Sequence, residues 1–349
     1  MTRNAKRAGV IGGAVLLLAG GIFFVLTNRD AIGDVPIVGD VLGEDPVCPL
    51  TSRDPVSEGR VDRPAVAIKI ENNPIAYPLS GLENAEIVYE EPVEGGLTRF
   101  MAIYHCTDSS RAGPVRSTRI VDPPILLPYT RILGAAGGND IVMAALDEAD
   151  VITITETRAR SAMERVDRPG ITSEHTLYAD TAAIRKIGLR QFEDAPPDDL
   201  FEFGDLPGVG RRARVVTMAF SAGAIVTYEW NGRRWERSDG DAPLVNETGE
   251  QIQVDNVLIE EHTVNHSDRL GDILGTPSPE IEDVTGSGRA FLFRDGRVFA
   301  GKWTRESEDE PVRFETNKGD AFVLHPGTTW IELLPDKEGD VKGSFTITK

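Results

Sequence analysis

Nineteen residues without a single charge, Ala8 to Leu26, follow Arg3, Lys6 and Arg7 at the start of the chain. A helix rises about 1.5 Å per residue, so a run of this length reaches across roughly 30 Å of hydrocarbon. Gly9, Gly12, Gly13, Gly20 and Gly21 would weaken a helix in water but are tolerated in lipid. The three basic residues keep the N-terminus on the cytoplasmic side, so everything after Thr27 is expected outside. A cleaved signal peptide would want a shorter apolar core and a small-x-small site, whereas the chain continues Leu26-Thr27-Asn28-Arg29. A lipid-anchored start would need a cysteine closing the run, and the first one is Cys48. The reading favours an uncleaved anchor: residues 1–27 form a cytoplasmic tip and one transmembrane helix. That makes a single-pass plasma-membrane protein, touching lipid through residues 8–26, with an extracytoplasmic body.

The body is acidic. Net charge is −19, and more negative still once the three N-terminal cations are set aside. Phosphate backbones repel such a surface, and no basic stripe with interleaved aromatics is present, so nucleic acid is not expected as a partner. A hydrophobic content of 40% is ample for real cores, and the length beyond the anchor suggests two domains. Outside the membrane, Cys48 and Cys106 read more readily as a disulfide than as metal ligands. Closing that loop would constrain the unfolded chain by about 4 kcal/mol.

Residues 28–62 are rich in Asp, Gly, Pro and Arg, as an extracytoplasmic tether would be. From Arg63 the pattern changes. Ala65–Ile70, Ile87–Tyr89 and Phe100–Tyr104 read as strands around a turn at Pro92–Gly96. Arg131–Gly134 leads into a helix over Ile141–Ala149, capped by Asn139 or Asp140, and Val151–Thr155 is again strand-like. This alternation predicts an α/β or α+β domain over residues 63–203. Breakers between Glu193 and Gly210 separate it from a mainly antiparallel β domain over residues 211–349. There Val215–Phe220, Ile225–Trp230, Val254–Ile259, Arg289–Phe293 and Trp330–Leu334 are the clearest strands. Asn231-Gly232 and Asp295-Gly296 mark hairpins.

Long, unusual stretches are Lys69-Ile70-Glu71-Asn72, Ser80-Gly81-Leu82, Ala85-Glu86-Ile87-Val88-Tyr89-Glu90, Val93 to Phe100, and Gly113-Pro114-Val115-Arg116-Ser117-Thr118-Arg119. Together they resemble the YerB-like lipoprotein family, whose signature domain has no assigned function. The resemblance covers roughly residues 63–200, and the β region is similar to the family's second domain. It implies an envelope-facing, membrane-attached protein and brings no established reaction. Three departures stand out. Members of the family typically attach through a lipidated cysteine. They carry Ala-Arg-Pro-Gln-Ser-Gly where this chain has Ala76-Tyr77-Pro78-Leu79-Ser80-Gly81. They often read Pro-His-Asn where it has Glu174-His175-Thr176.

The richest polar cluster gathers Glu71, Asn72, Glu90, Glu91, Glu94, Thr98, Arg99, Arg116, Ser117 and Arg119, with His175 from a family-like motif. Glu90 and Glu91 point to opposite faces of a strand, so only one can share a pocket with its neighbours. Gly95-Gly96 permits a tight turn. Arg116 and Arg119 could clamp a carboxylate or phosphate through bidentate contacts, with a glutamate as general base. Buried Arg–Glu pairs that only fix geometry are the bland competitor. Ser117 lacks the Gly-x-Ser-x-Gly setting of a nucleophile elbow. His262 and His266 are four apart but follow a strand-like run, which does not suit a helical metal pair, and no calcium loop is present. No metal and no cofactor are expected. Trp230, Trp235, Trp303 and Trp330 suit core positions better than sugar platforms. The sequence thus predicts an extracytoplasmic envelope protein with a ligand-binding or scaffolding role, its partner a cell-wall component or envelope protein. The alternative is an envelope hydrolase or transferase using the Glu/Arg/His pocket.

Overall fold

A computed structural model describes residues 46–349 except 58, 206, 207, 209 and 272–274. The expected cytoplasmic tip, the anchor at 8–26 and the tether up to residue 45 lie outside the described residues. Among the described residues, no helix is long and apolar enough to cross a membrane. The remaining part of the expected tether is not extended. Cys48, Leu50 and Thr51 are buried, and Arg60 and Arg63 reach Asp108 at 2.7 and 3.0 Å. Packing therefore begins well before Arg63, because Leu50 joins a core layer and Cys48 is bridged to Cys106.

Residues 46–349 form one compact unit. In chain order its principal strands are β1 (Val66–Asn72), β2 (Ile87–Pro92), β3 (Thr98–Tyr104), β4 (Ile132–Gly134) and β5 (Ile152–Ile154). They are followed by β6 (Val215–Ala219), β7 (Ile225–Trp230), β8 (Trp235–Asp239), β9 (Asn256–His262), β10 (Gly286–Arg294), β11 (Arg297–Arg305), β12 (Arg313–Thr316), β13 (Thr329–Pro335) and β14 (Ser344–Thr348). The described helices are short: α1 (Asp122–Leu126), α2 (Asp140–Glu148), α3 (Glu156–Ala159) and α4 (Thr181–Gly188).

The expected α/β character is confined to one edge. There β1, β4 and β5 run parallel, joined through α1 and α2, and Asn139 caps α2 by accepting from the Val142 amide at 2.9 Å. Otherwise the molecule is mainly β. The reason is local: α1, α3 and the 3-10 turns are too short to cover a sheet face, so strands do most of the burying.

One eleven-stranded sheet runs β12-β11-β10-β9-β13-β2-β3-β1-β4-β5, with a short strand at Arg211–Arg212 pairing to β11. The strand β13, late in the sequence, lies parallel to both β2 and β9 with Trp330 opposite Val88 and Val257. The sheet therefore runs unbroken through both halves of the chain. A second sheet, centred on β8-β7-β6-β14, covers one face.

Period-two alternation sorts the core into two layers. On one face Ile68, Ile70, Val88, Phe100, Val257, Phe293 and Trp330 meet Val216, Met218, Tyr228 and Trp235 of the second sheet. On the other face Ala67, Tyr89, Met101, Leu258 and Ile331 meet Ile125 and Leu126 of α1 and Val142 and Leu146 of α2. Cys48 and Cys106 form a disulfide. The hairpin between β10 and β11 turns on Asp295 and Gly296, both at positive φ (50° and 66°), the two-residue turn that their sequence announces.

Candidate functional site

The two layers split the sequence-named cluster in two. Asn72, Glu90 and Thr98 share the face covered by the second sheet, and there they belong to a closed network. Asn72 Nδ2 donates to Thr98 Oγ1 at 2.8 Å and to Glu90 Oε1 at 3.1 Å. The network's centre is Arg237, fully buried, which donates to Glu90 at 2.7 Å, Asp239 at 2.8 Å and the Tyr228 hydroxyl at 2.9 Å. Its guanidinium also lies 4.8 Å from the Trp330 ring centre and 5.1 Å from that of Phe100. Glu332 completes the group: burial and the neighbouring Glu90 push its carboxyl well above the usual range, so it keeps a proton beside the ionised Glu90. Burial alone would raise Glu90 too, but Arg237 and the hydrogen bonds from Glu332 and Thr98 outweigh it. The Tyr77 hydroxyl, at one of the family departures, sits 2.5 Å from Asn72 Oδ1 and 2.8 Å from Asp239 Oδ2. The arginine here is paired with carboxylates from within the network.

Arg237 and Asp239 escaped the sequence reading, although a signal exists. They fall in phase with buried Trp235 on β8, and a charge on the apolar phase of a strand requires a buried partner. Trp235, Trp303 and Trp330 are core residues, while Trp230 is half-buried and lines a separate surface cleft of about 660 Å³. That cleft's arginine Arg214 pairs with Glu229 in solvent. His262 and His266 are held by different carboxylates, Glu260 and Asp283 for the first and Asp340 for the second. Among the described residues no three His, Cys, Asp or Glu side chains are grouped to hold a metal.

The opposite face carries the open site. A cleft of about 690 Å³ is lined by Glu71, Glu94, Arg99, Arg116, Ser117 and Arg119, with Glu174 at its rim. Local backbone pairing builds it. The Glu71 amide donates to Pro114 O at 2.9 Å and the Arg116 amide to Lys69 O at 3.0 Å, so the loop after Pro114 runs along β1 and delivers three successive polar side chains. Gly95 and Gly96, at φ 72° and 70°, reverse the chain and hold Glu94 over Arg119, with which it pairs. Burial would raise the Glu94 carboxyl, but Arg119 holds it below its ordinary value. His175, on a short 3-10 turn, has Nδ1 2.8 Å from Glu71 Oε2, and Arg116 Nε lies 3.4 Å from Glu71 Oε1.

Arg99 is different. In register it stands between Glu91 on β2 and Glu71 on β1. Neither carboxylate meets it, because Glu91 turns to Lys69 at 2.5 Å and Glu71 to His175 and Arg116. Lys69 in turn reaches Asp122 at 2.8 Å, closing a buried triad behind the cleft. Only 7% exposed, Arg99 donates through Nη1 to Ser117 O at 2.9 Å, and its Nε finds no partner. Burial, then Arg119 and Arg116, push its guanidinium down to about 9.

Residues 50–193 match the family described as "Protein of unknown function (DUF3048) N-terminal domain", and residues 216–331 match the corresponding C-terminal domain. The chain belongs to the DUF3048 family. It is 27% identical to "Putative lipoprotein YerB" of Bacillus subtilis (strain 168) over 334 residues, 90% of this chain and 93% of that protein. Its fold is similar to the crystal structure of the Bacillus subtilis YerB protein, with a TM-score of 0.70, 24% identity, and coverage of 86% of this chain and 99% of that one. Most of the cleft side chains lie in the N-terminal DUF3048 segment, and Leu270, Gly271, Ser278 and Pro279 of the C-terminal segment complete its wall.

Proposed function

We propose that this DUF3048 protein is a ligand-binding protein of the bacterial cell envelope, held at the membrane through residues 8–26 with its body outside, and that the Arg99/Arg116/Arg119 cleft takes an anionic group. One observation carries the reading. Arg99 is a buried cation without a carboxylate among the described residues, at the wall of an open cleft. An unanswered buried charge is costly, and a protein that keeps one beside a cavity gains from a ligand that answers it. The Arg237 network argues by contrast, since the same chain pairs a buried arginine with two carboxylates where architecture alone is at stake. The membrane reading is supported by the uncharged N-terminal run and by the relative described as a lipoprotein.

Two measurements test it. External protease applied to spheroplasts should remove the body, and a protected body would overturn the orientation. Full-length protein incubated with a muramidase digest of cell wall should retain anionic species, read by mass spectrometry, that the Arg99→Met variant does not. Identical retention by both proteins would overturn the cleft as the binding site.

A second reading, a hydrolase or transferase, is favoured by His175, whose Nδ1 lies 2.8 Å from Glu71 of the cleft wall, an orientation that leaves Nε2 turned away from that carboxylate. Bond cleavage in the retained species that His175→Gln abolishes, with retention unchanged, would favour it over simple binding.

A further inference from the structure

We infer that the group bound in this cleft is a singly charged oxyanion, a carboxylate or a phosphodiester, carried on a larger non-aromatic body. The inference rests on the binding role just proposed and specifies its ligand. Among the described side chains of the cleft, three guanidiniums face two largely buried carboxylates: Glu71, 5% exposed, and Glu94, 13% exposed. Glu94 answers Arg119 and Glu71 answers Arg116 while also holding His175. Glu174 offers Arg116 its backbone carbonyl at 3.0 Å, and its carboxylate, 54% exposed, lies at the rim 3.9 Å from His175 Nε2. Among the buried groups of the wall one positive charge is left over, and it is Arg99.

The Lys69–Glu91–Asp122 triad behind the wall is formally one charge negative, and it is enclosed, with exposures of 0%, 1% and 0%. A ligand in the cleft cannot touch it. Its field is already felt at Arg99, together with that of Glu94, and still leaves that guanidinium disfavoured by burial and by its two arginine neighbours. A monoanion restores balance at the wall. A dianion would replace an excess cation by an excess anion beside Glu71 and Glu94.

The remaining wall describes the rest of the ligand. A bare oxyanion occupies a small part of about 690 Å³, and beside the charged groups the wall mixes aliphatic Val93, Leu97, Ile120 and Leu270 with polar Asn73, Thr98, Thr118 and Ser278. Aliphatic and hydroxyl or amide surfaces alternate there, with no aromatic ring among the described lining residues to stack on a base or aryl group. The carboxylates Glu71 and Glu94, already tied to cations, can still accept hydrogen bonds from hydroxyl groups through their free lone pairs. An acidic sugar or a polyol phosphodiester presents this combination of one charge, hydroxyls and an aliphatic skeleton.

The test is calorimetric titration of the full chain in detergent micelles with four probes: glucuronate, bis(glycerol) phosphate, glucose 6-phosphate at pH 8, and glucose. We expect at least one of the two monoanions to bind at least tenfold more tightly than glucose and more tightly than glucose 6-phosphate. Arg99→Met should weaken that binding at least tenfold, and Arg99→Lys, which keeps the charge without the planar fork, should weaken it less. Circular dichroism confirms that each variant folds, and the lysine variant decides if the methionine one does not. Tightest binding by glucose 6-phosphate would overturn the single-charge inference and leave the anion cleft standing. Anion binding that both Arg99 variants leave unchanged, or no anion binding up to millimolar concentration, would overturn both. Whether the carboxylate or the phosphodiester wins tells which source supplies the group.

Discussion

At the scale of single residues, the difference between Arg99 and Arg237 is the difference between a charge left open and a charge enclosed. Substituting Arg237 by methionine would strand Glu90 and Asp239 in the core, so a loss of about 3–5 kcal/mol is expected from denaturant unfolding. Glu332→Gln is expected to cost within about 1 kcal/mol, because Glu332 already holds its proton and glutamine can donate in its place. Equal losses for the two variants would contradict this assignment of the proton. His262 supplies a pH dependence. Burial opposes its charge, but its bonds to Asp283 at 3.2 Å and Glu260 at 3.0 Å win and raise it to about 9. A folded value above the unfolded one means the contribution, up to about 3 kcal/mol, is fully present below pH about 6.5 and is lost as pH rises through about 9. Urea midpoints should fall across that window in the parent protein, and His262→Leu should remove this part of the slope.

At the scale of elements, the Cys48–Cys106 bridge fixes the incoming chain to the end of β3. With a sequence separation of 58 between the cysteines, removing it by Cys48→Ala and Cys106→Ala should cost about 4 kcal/mol of unfolding free energy by loop-closure entropy. The arginines at 60 and 63 hold the same segment to Asp108 and would soften that loss, so a cost near zero would mean that those pairs suffice without the bridge. The loop after Pro114 is the element on which the cleft depends. It has no regular structure of its own, and its register is set by two backbone bonds to β1.

For the whole molecule, β13 is decisive. It lies between β2 and β9, so the two segments matched by the family's N- and C-terminal descriptions share one sheet. Trp330, 1% exposed, packs edge-on against Phe100 at 5.3 Å and faces Tyr228 at 6.5 Å, touching both halves and the second sheet. Calorimetry of the parent protein is expected to show one unfolding transition for the body. Trp330→Ala should lower its stability by about 3–5 kcal/mol without splitting it. Two resolved transitions would show that the halves melt separately despite the shared sheet.

Local chemistry made much of this legible in the sequence. Continuous apolar runs marked β1, β2, β3, β10 and β13, and alternation marked β6 and β7, to within a few residues, because a strand buried on both faces is apolar throughout and one buried on a single face repeats every second position. Asn139 announced the start of α2 and Asp295-Gly296 the β10–β11 turn, since capping and positive φ are properties of neighbouring residues alone. The same period of two puts Glu90 and Glu91 on opposite faces of β2. Which face lies open and which is covered was not legible, because that depends on the second sheet arriving from residues more than a hundred positions later. Nor could the sequence separate Asn72 and Glu90 from the cleft, since Arg237, the partner of Glu90, arrives only through the packing of β8. Arg99 is the sharpest case. Its register beside Glu71 and Glu91 follows from strand pairing, but its lack of a partner is decided by where Lys69, Arg116 and His175 draw those carboxylates, and only the assembled molecule determines that.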